Sequence, residues 1–225
     1  YKAANNATLA PYSAYLQHGD HHAICCSPEL YLQKKGSTVV SKPIKGTIRR
    51  GTDPQEDEEL KRQLFSDKKE RSENVMIVDL VRNDLSHVAS KGSVEVTELC
   101  GVYAFKNVNQ MISTVKAALK PEVSNWDIVA ASFPMGSMTG APKISAMELA
   151  ERHEKTAREV YSGAVGYVAP DGDFDFNVVI RSIALNTASS VATLHVGGAI
   201  TILSDPQEEY EECMLKAESI FHSAK

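Results

Sequence analysis

The sequence predicts an α+β chain, and three kinds of signal carry that expectation. Short apolar or β-branched runs bounded by Pro, Gly and Asp read as strands, as at 23–26, 37–40 and 190–196. Helices are announced by their first residues: Asp53-Pro54, Ser124-Asn125 and Asp205-Pro206 each place a capping oxygen ahead of a first turn. Asp171-Gly172 is a hairpin turn between two strand-like runs.

From the N-terminus, a short segment over 9–16 leads into the turn-like Gly19-Asp20. The run 23–26 is a buried-strand candidate, Ser27-Pro28-Glu29 interrupts it, and Leu30-Tyr31-Leu32 resumes it. A Pro within a strand pattern marks an edge or bulge. The β-branched run 37–40 enters Lys42-Pro43-Ile44-Lys45-Gly46-Thr47, read as a stiff turn at a strand end that presents Lys45. A charged helix is expected from Pro54 to about Arg71, then a core helix over 74–85 whose aliphatics recur at 3–4 spacing. Strands are expected at 92–98 and 102–117, and a short helix over 125–131 capped by Ser124. The Gly/Ser/Thr-rich stretch 132–143 runs into a helix from about Pro142 to Lys155. Strands follow at 162–168, 174–185 and 190–196, and a last helix opens at Asp205-Pro206.

The 225 residues are 43% hydrophobic and 24% charged, the composition of an ordinary globular chain. With 24 basic against 29 acidic residues the net charge is −5, and no basic stripe appears, so nucleic acid is not an expected partner. No apolar run approaches membrane-spanning length. Cys25, Cys26, Cys100 and Cys213 lack metal-site spacing and read as reduced thiols of a cytoplasmic protein. The first residues resemble neither an initiator nor a signal peptide, so the chain is expected to be part of something longer.

Several side chains carry chemistry, each with a plainer alternative. Lys45 is either a solvated loop lysine or, in a desolvated pocket, a neutral nucleophilic amine. Glu29, at the strand break, either faces water or points into a site as an acid–base group. Glu70 and Glu73 lie three apart, on one face just ahead of or within the 74–85 helix, and Glu209, Glu212 and Lys216 share a face of the last helix. The glutamates either complement helix dipoles on solvated faces or converge on a hard cation such as Mg²⁺. The 132–143 loop is a tight connection or an anion cradle; it is not a P-loop. Arg181, set within an apolar run, is either paired or anchors an anionic ligand. Gly197-Gly198 ends a strand, as a bend or as a close backbone approach to a ligand.

Taken together, these motifs resemble the chorismate-utilising enzymes, which include the large subunits of anthranilate synthase and aminodeoxychorismate synthase and the isochorismate synthases. The resemblance runs through Cys26-Ser27-Pro28-Glu29-Leu30, Pro43-Ile44-Lys45-Gly46-Thr47, Glu73-Asn74-Val75-Met76-Ile77-Val78-Asp79-Leu80, Phe133 to Lys143, Tyr161-Ser162-Gly163, Ile180-Arg181-Ser182 and the Glu209–Lys216 helix, in the family's order. It implies antiparallel sheets packed as a sandwich with helices outside. It also implies that residues 1–225 are one chorismate-binding catalytic domain, incomplete at its N-terminal side. Lys45 decides the branch: anthranilate synthases, and generally isochorismate synthases, have Ala there, whereas the aminodeoxychorismate branch has Lys.

The resemblance implies amination of chorismate at C4, on the way to p-aminobenzoate and folate, with ammonia from a glutamine amidotransferase partner. Mg²⁺ would be held by Glu73 and Glu212 with Glu70 and Glu209 close by, and Lys216 bracing them. That ion would bind the ring carboxylate; Arg181, Tyr161, Thr139 and the backbone at Gly197, Gly198 and Ala199 would hold the other groups of chorismate, chiefly the enolpyruvyl carboxylate, and Thr47 the ring. Lys45 would form a covalent adduct at C2, with Glu29 as the proton donor and acceptor. Two departures stand out: Gln110 where many relatives have His, and Ala199 where relatives often have a third Gly. The alternatives are anthranilate or isochorismate synthesis, and a non-catalytic relative that binds chorismate-like acids.

Overall fold

A computed structural model describes residues 1–202 and 204–221. In chain order its elements are α1 (Lys2–Thr8), β1 (Tyr12–His18), β2 (His21–Ser27), β3 (Leu30–Lys35), β4 (Thr38–Lys42), β5 (Ile44–Arg49), α2 (Pro54–Ser66), α3 (Lys68–Ser86), β6 (Glu95–Ala104), β7 (Val108–Ala118), α4 (Asn125–Ser132), a 3-10 turn (Gly136–Met138), α5 (Lys143–His153), β8 (Ala164–Val168), β9 (Phe174–Val178), β10 (Ser182–Asn186), β11 (Val191–Leu194) and α6 (Pro206–Phe221). They form two compact units. One comprises Tyr1–Pro28, Thr156–Val165 and Asn177–Lys225, the other Glu29–Lys155 and Gly166–Phe176.

The first unit is built on a four-stranded antiparallel sheet in the order β1-β2-β10-β11. The β1–β2 hairpin turns through Gly19 at φ +56°, a conformation a side chain resists, and pairs Tyr12 with Ser27 through His18 with His21. Asn177 fastens the return of the chain by donating to the Tyr12 carbonyl at 2.7 Å. Asp205 caps α6 by accepting from the amides of Gln207 and Glu208, and Pro206 needs no partner for a missing N–H.

The second unit carries a seven-stranded sheet, ordered β5-β7-β4-β3-β9-β8 with β6 also on β7. The pairings of β7 with β4, β5 and β6 are all antiparallel. Helices α2 and α3 lie against β5, β6 and β7. Leu64, Cys100 and Met111, each at most 3% exposed, form a core cluster there with Ile48 and Val102 packed on it. On the face of α3 that carries Asn74, Ile77, Val78, Val81 and Leu85, every side chain is buried. Ser124 and Asp127 form a full capping box on α4.

The structure redraws several expected boundaries. Asp67 accepts from the amide of Glu70 and caps α3, so the expected helix to Arg71 stops at Ser66 and the next starts at Lys68. Glu70 and Glu73 therefore share α3. The expected strands 92–98 and 102–117 become β6 and β7, joined around Phe105 rather than near Gly101. Leu99 and Cys100, the latter with φ +57°, form a bulge inside β6 instead of its end, and Gly101 resumes the pairing opposite Ile112. The expected 174–185 strand is two: β9 and β10 belong to different sheets, and Arg181, with φ +50°, lies in the break rather than within a strand. Lys45 is likewise not on a turn. It sits near the start of β5, where the register with β7 shifts between Ile44 and Thr47.

Candidate active site

Of the residues expected at the site, Glu29, Lys45, Thr47, Glu70, Glu73, Gln110 and Thr139 lie in the second unit. Glu29 is 4% exposed, directly after Pro28 at the interruption between β2 and β3. Lys45 is half-buried and Thr47 exposed. The bulge that carries Lys45 is possible because Gly46 adopts φ +97°. It is also crowded. A Cβ on Gly46 would lie 3.1 Å from Met111 Cβ, 3.2 Å from Glu70 Oε2 and 3.3 Å from Leu64 Cδ1. The Glu70 carboxylate thus reaches the residue next to Lys45, and Glu73, one turn on, is 8% exposed.

Asn74 ties this arrangement together. Its amide donates to the Lys45 carbonyl at 3.3 Å and to the Met111 carbonyl at 3.4 Å. Its oxygen accepts from the Ser113 hydroxyl, and that hydroxyl's oxygen accepts the Cys100 amide at the β6 bulge. One buried side chain therefore registers α3 against β5, β6 and β7. Asn74 stands in a motif noted in the sequence, but no role was expected of it. The available signal was a polar residue on the apolar face of a core helix, a position that burial permits only when its hydrogen bonds are met.

Gln110 is 2% exposed, pairs in register with Thr47 and Tyr103, and its amide oxygen has no hydrogen-bond partner among the described residues. Thr139 follows the 3-10 turn and donates its hydroxyl to the Met135 and Gly136 carbonyls, both at 3.3 Å. Engaging a carboxylate there requires Thr139 to release those long bonds. The cation of the loop, Lys143, is turned inward: its amine bonds Asp84 on α3 at 2.7 Å and the Ser132 carbonyl at 3.2 Å. The Ser132 hydroxyl meets the buried Tyr31 hydroxyl at 2.7 Å. Burial, with Asp84 adding to it against the Ser132 bond, pushes the Tyr31 phenol up to about 12. Burial also raises Asp84, against the pull of Lys143.

Tyr161, Arg181, Gly197, Gly198, Ala199, Glu209, Glu212 and Lys216 lie in the first unit. The stretch after β11 lies against α6 by specific contacts. Lys216 Nζ bonds Glu212 Oε1 at 2.8 Å and the Gly197 carbonyl at 3.0 Å. Glu209, 5% exposed, accepts from the Ser204 hydroxyl at 2.6 Å. A Cβ on Gly198 would stand 3.0 Å from Glu209 Oε2 and 3.8 Å from Glu212 Oε2, so both carboxylates face one glycine backbone that only a missing side chain keeps open. A Cβ on Gly197 would lie 3.1 Å from the Tyr161 hydroxyl. Arg181 is half-buried, and its carbonyl accepts the Cys26 amide at 3.2 Å. The four cysteines are free thiols.

Carboxylate oxygens suit a hard divalent cation that keeps several waters, and each unit by itself carries a glutamate pair, Glu70 and Glu73 in one and Glu209 and Glu212 in the other. Among the described residues, no three His, Cys, Asp or Glu side chains are grouped to hold a metal ion. Nor is any helix among them long and apolar enough to cross a membrane.

Against known proteins, residues 1–222 match the sequence family described as chorismate binding enzyme. The chain is 46% identical to the probable chloroplastic aminodeoxychorismate synthase of Oryza sativa subsp. japonica, over 93% of this chain and 24% of that protein. It is 41% identical to aminodeoxychorismate synthase component 1 of Bacillus subtilis (strain 168), over 96% of this chain and 46% of that one. It superposes on anthranilate synthase component I from Streptococcus pneumoniae TIGR4 with a TM-score of 0.86 and 35% identity, covering 96% of this chain and 47% of the solved one. The chain thus spans from about a quarter to about half the length of these relatives.

Proposed function

The chain belongs to the chorismate binding enzymes, and from that premise we propose that it is the catalytic part of an aminodeoxychorismate synthase, converting chorismate to 4-amino-4-deoxychorismate by amino-group transfer. The observation that carries the choice within the family is Lys45. It is half-buried on a bulged strand whose backbone Asn74 holds and whose neighbour Gly46 brings in the Glu70 carboxylate. We read residues 1–225 as one catalytic domain, working in the cytoplasm, with a separate glutamine amidotransferase supplying ammonia.

The chemistry proposed is the one the family resemblance implies, and these residues are suited to it. Lys45 Nζ adds to C2 of chorismate as the C4–oxygen bond breaks, and Glu29 protonates the departing hydroxyl, which leaves as water. Ammonia then adds at C4 as the C2–nitrogen bond to Lys45 breaks, and Glu29 takes a proton from the incoming amine. Two displacements replace one difficult one, which is the advantage of a covalent step. Glu73 and Glu212, with Glu70 and Glu209 beside them, would hold Mg²⁺, which supplies positive charge for the ring carboxylate. Lys216 orients Glu212, and Gly198 leaves room for the carboxylates to turn. Arg181, Tyr161, Thr139 and the amides of Gly197, Gly198 and Ala199 would bind the enolpyruvyl carboxylate. Thr47 and Gln110 would line the ring, the open amide oxygen of Gln110 accepting from a substrate hydroxyl.

Full-length protein incubated with chorismate, Mg²⁺ and ammonium should yield a product with the mass of aminodeoxychorismate, and Lys45→Ala should lose that activity by at least about 100-fold. Anthranilate or isochorismate as the product, or a Lys45→Ala variant as active as wild type, overturns the reading.

A further inference from the structure

Tyr161 lies on a tight, unusual stretch of backbone. Glu159 and Ser162 flank it with φ of +51° and +68°, conformations that non-glycine residues adopt only when their surroundings enforce them. The enforcement is visible. The Arg158 carbonyl accepts the Tyr161 amide at 2.9 Å, the Val160 carbonyl accepts the Gly163 amide at 3.1 Å, and the Arg158 guanidinium donates to the Ser162 hydroxyl at 3.1 Å.

The same Arg158 carbonyl is also 3.2 Å from His195 Nδ1. A carbonyl oxygen only accepts, so Nδ1 carries the proton. The His195 ring then meets Tyr161 edge to face, with centroids 5.6 Å apart and planes at 78°. His195 lies two residues before Gly197, whose α-carbon faces the Tyr161 hydroxyl. Tyr161 and His195 line one cavity with Arg158, Ser182 and Thr193.

We infer that His195 is a positioning residue: bonded to the Arg158 carbonyl and packed on Tyr161, it locks the Tyr161 turn onto the stretch at Gly197 that follows β11 and so sets affinity for the substrate carboxylate. It touches no reacting atom. This rests on the reading that Tyr161 and Gly197 belong to the chorismate site.

The lock is testable without substrate. Full-length protein is labelled with 3-fluorotyrosine, and the Tyr161 signal is identified by its loss in Tyr161→Phe. His195→Ala should shift and broaden that ¹⁹F signal. It should also raise KM for chorismate about three- to tenfold, the loss of roughly one hydrogen bond, while kcat falls far less. His195→Asn, which keeps a donor near the Nδ1 position, should recover much of both. An unchanged signal and KM in His195→Ala overturns the inference, as does a loss confined to kcat. A signal that responds in a protein that neither binds nor aminates chorismate supports the lock and overturns the substrate assignment instead.

Discussion

The Asn74 amide donates to the main-chain carbonyl of Lys45 across 3.3 Å, so the helix that carries Glu73 grips the strand that carries the proposed nucleophile. Asn74 is 1% exposed and also serves the Met111 carbonyl and the Ser113 hydroxyl. Asn74→Ala leaves these buried groups unmatched, at about 1–3 kcal/mol for each one not reached by water. Urea unfolding should show a lower midpoint with an unchanged slope, and amination should fall even at temperatures where the variant is folded.

Gly46 and Gly36 separate crowding from backbone strain. Both have positive φ, +97° and +58°, but an added Cβ meets three neighbours within 3.3 Å at Gly46 and nothing within 4 Å at Gly36. Gly36→Ala should cost only about 1–2 kcal/mol for the left-handed conformation. Gly46→Ala should cost more, because Met111 and Leu64 belong to the core and give way reluctantly. Equal losses of stability for the two variants would show that the crowding at Gly46 is relieved by small shifts.

The start of α2 makes the fold acid-sensitive. Arg49, with help from the Thr52 hydroxyl and amide, lowers Glu56 to about 2. A two-pronged bond from Arg50, with the Gly51 amide and Asn109, holds Asp57 well below the ordinary carboxylate range. For both groups the folded pKa lies below the unfolded one. The unfolded chain therefore binds more protons as pH falls, and stability present above about pH 4–5 is lost progressively, for Glu56 down to about 2 and for Asp57 to lower pH still. Thermal unfolding between these limits should give a falling Tm. Asp57→Asn and Glu56→Gln should each start from a lower Tm at neutral pH and show a shallower fall.

Lys216 links Glu212 to the Gly197 carbonyl. Lys216→Met removes both bonds while keeping the stem. If Glu212 binds Mg²⁺, the concentration of Mg²⁺ needed for half-maximal activity should rise about 10–100-fold, the usual effect of losing a group that orients a ligand. A Mg²⁺ titration of chorismate conversion reads this directly.

Local chemistry wrote much of this fold into the sequence. The Asp53, Ser124 and Asp205 caps, the Asp171-Gly172 hairpin, the break at Pro28 and the apolar stripe of α3 each depend on neighbours within a few positions, so they are legible one stretch at a time. The motifs that mark the chorismate binding family, and Lys45 within them, are legible for the same reason. Tertiary structure alone decided that the 174–185 run divides between two sheets, leaving Arg181 in the break, and that the Leu99–Cys100 pair bulges rather than ends a strand. It alone showed Asn74 reaching Lys45, 29 residues away in sequence, and Glu70 meeting Gly46. Those outcomes depend on which partner satisfies each buried amide and carbonyl, and the partners come from distant parts of the chain that no local pattern encodes.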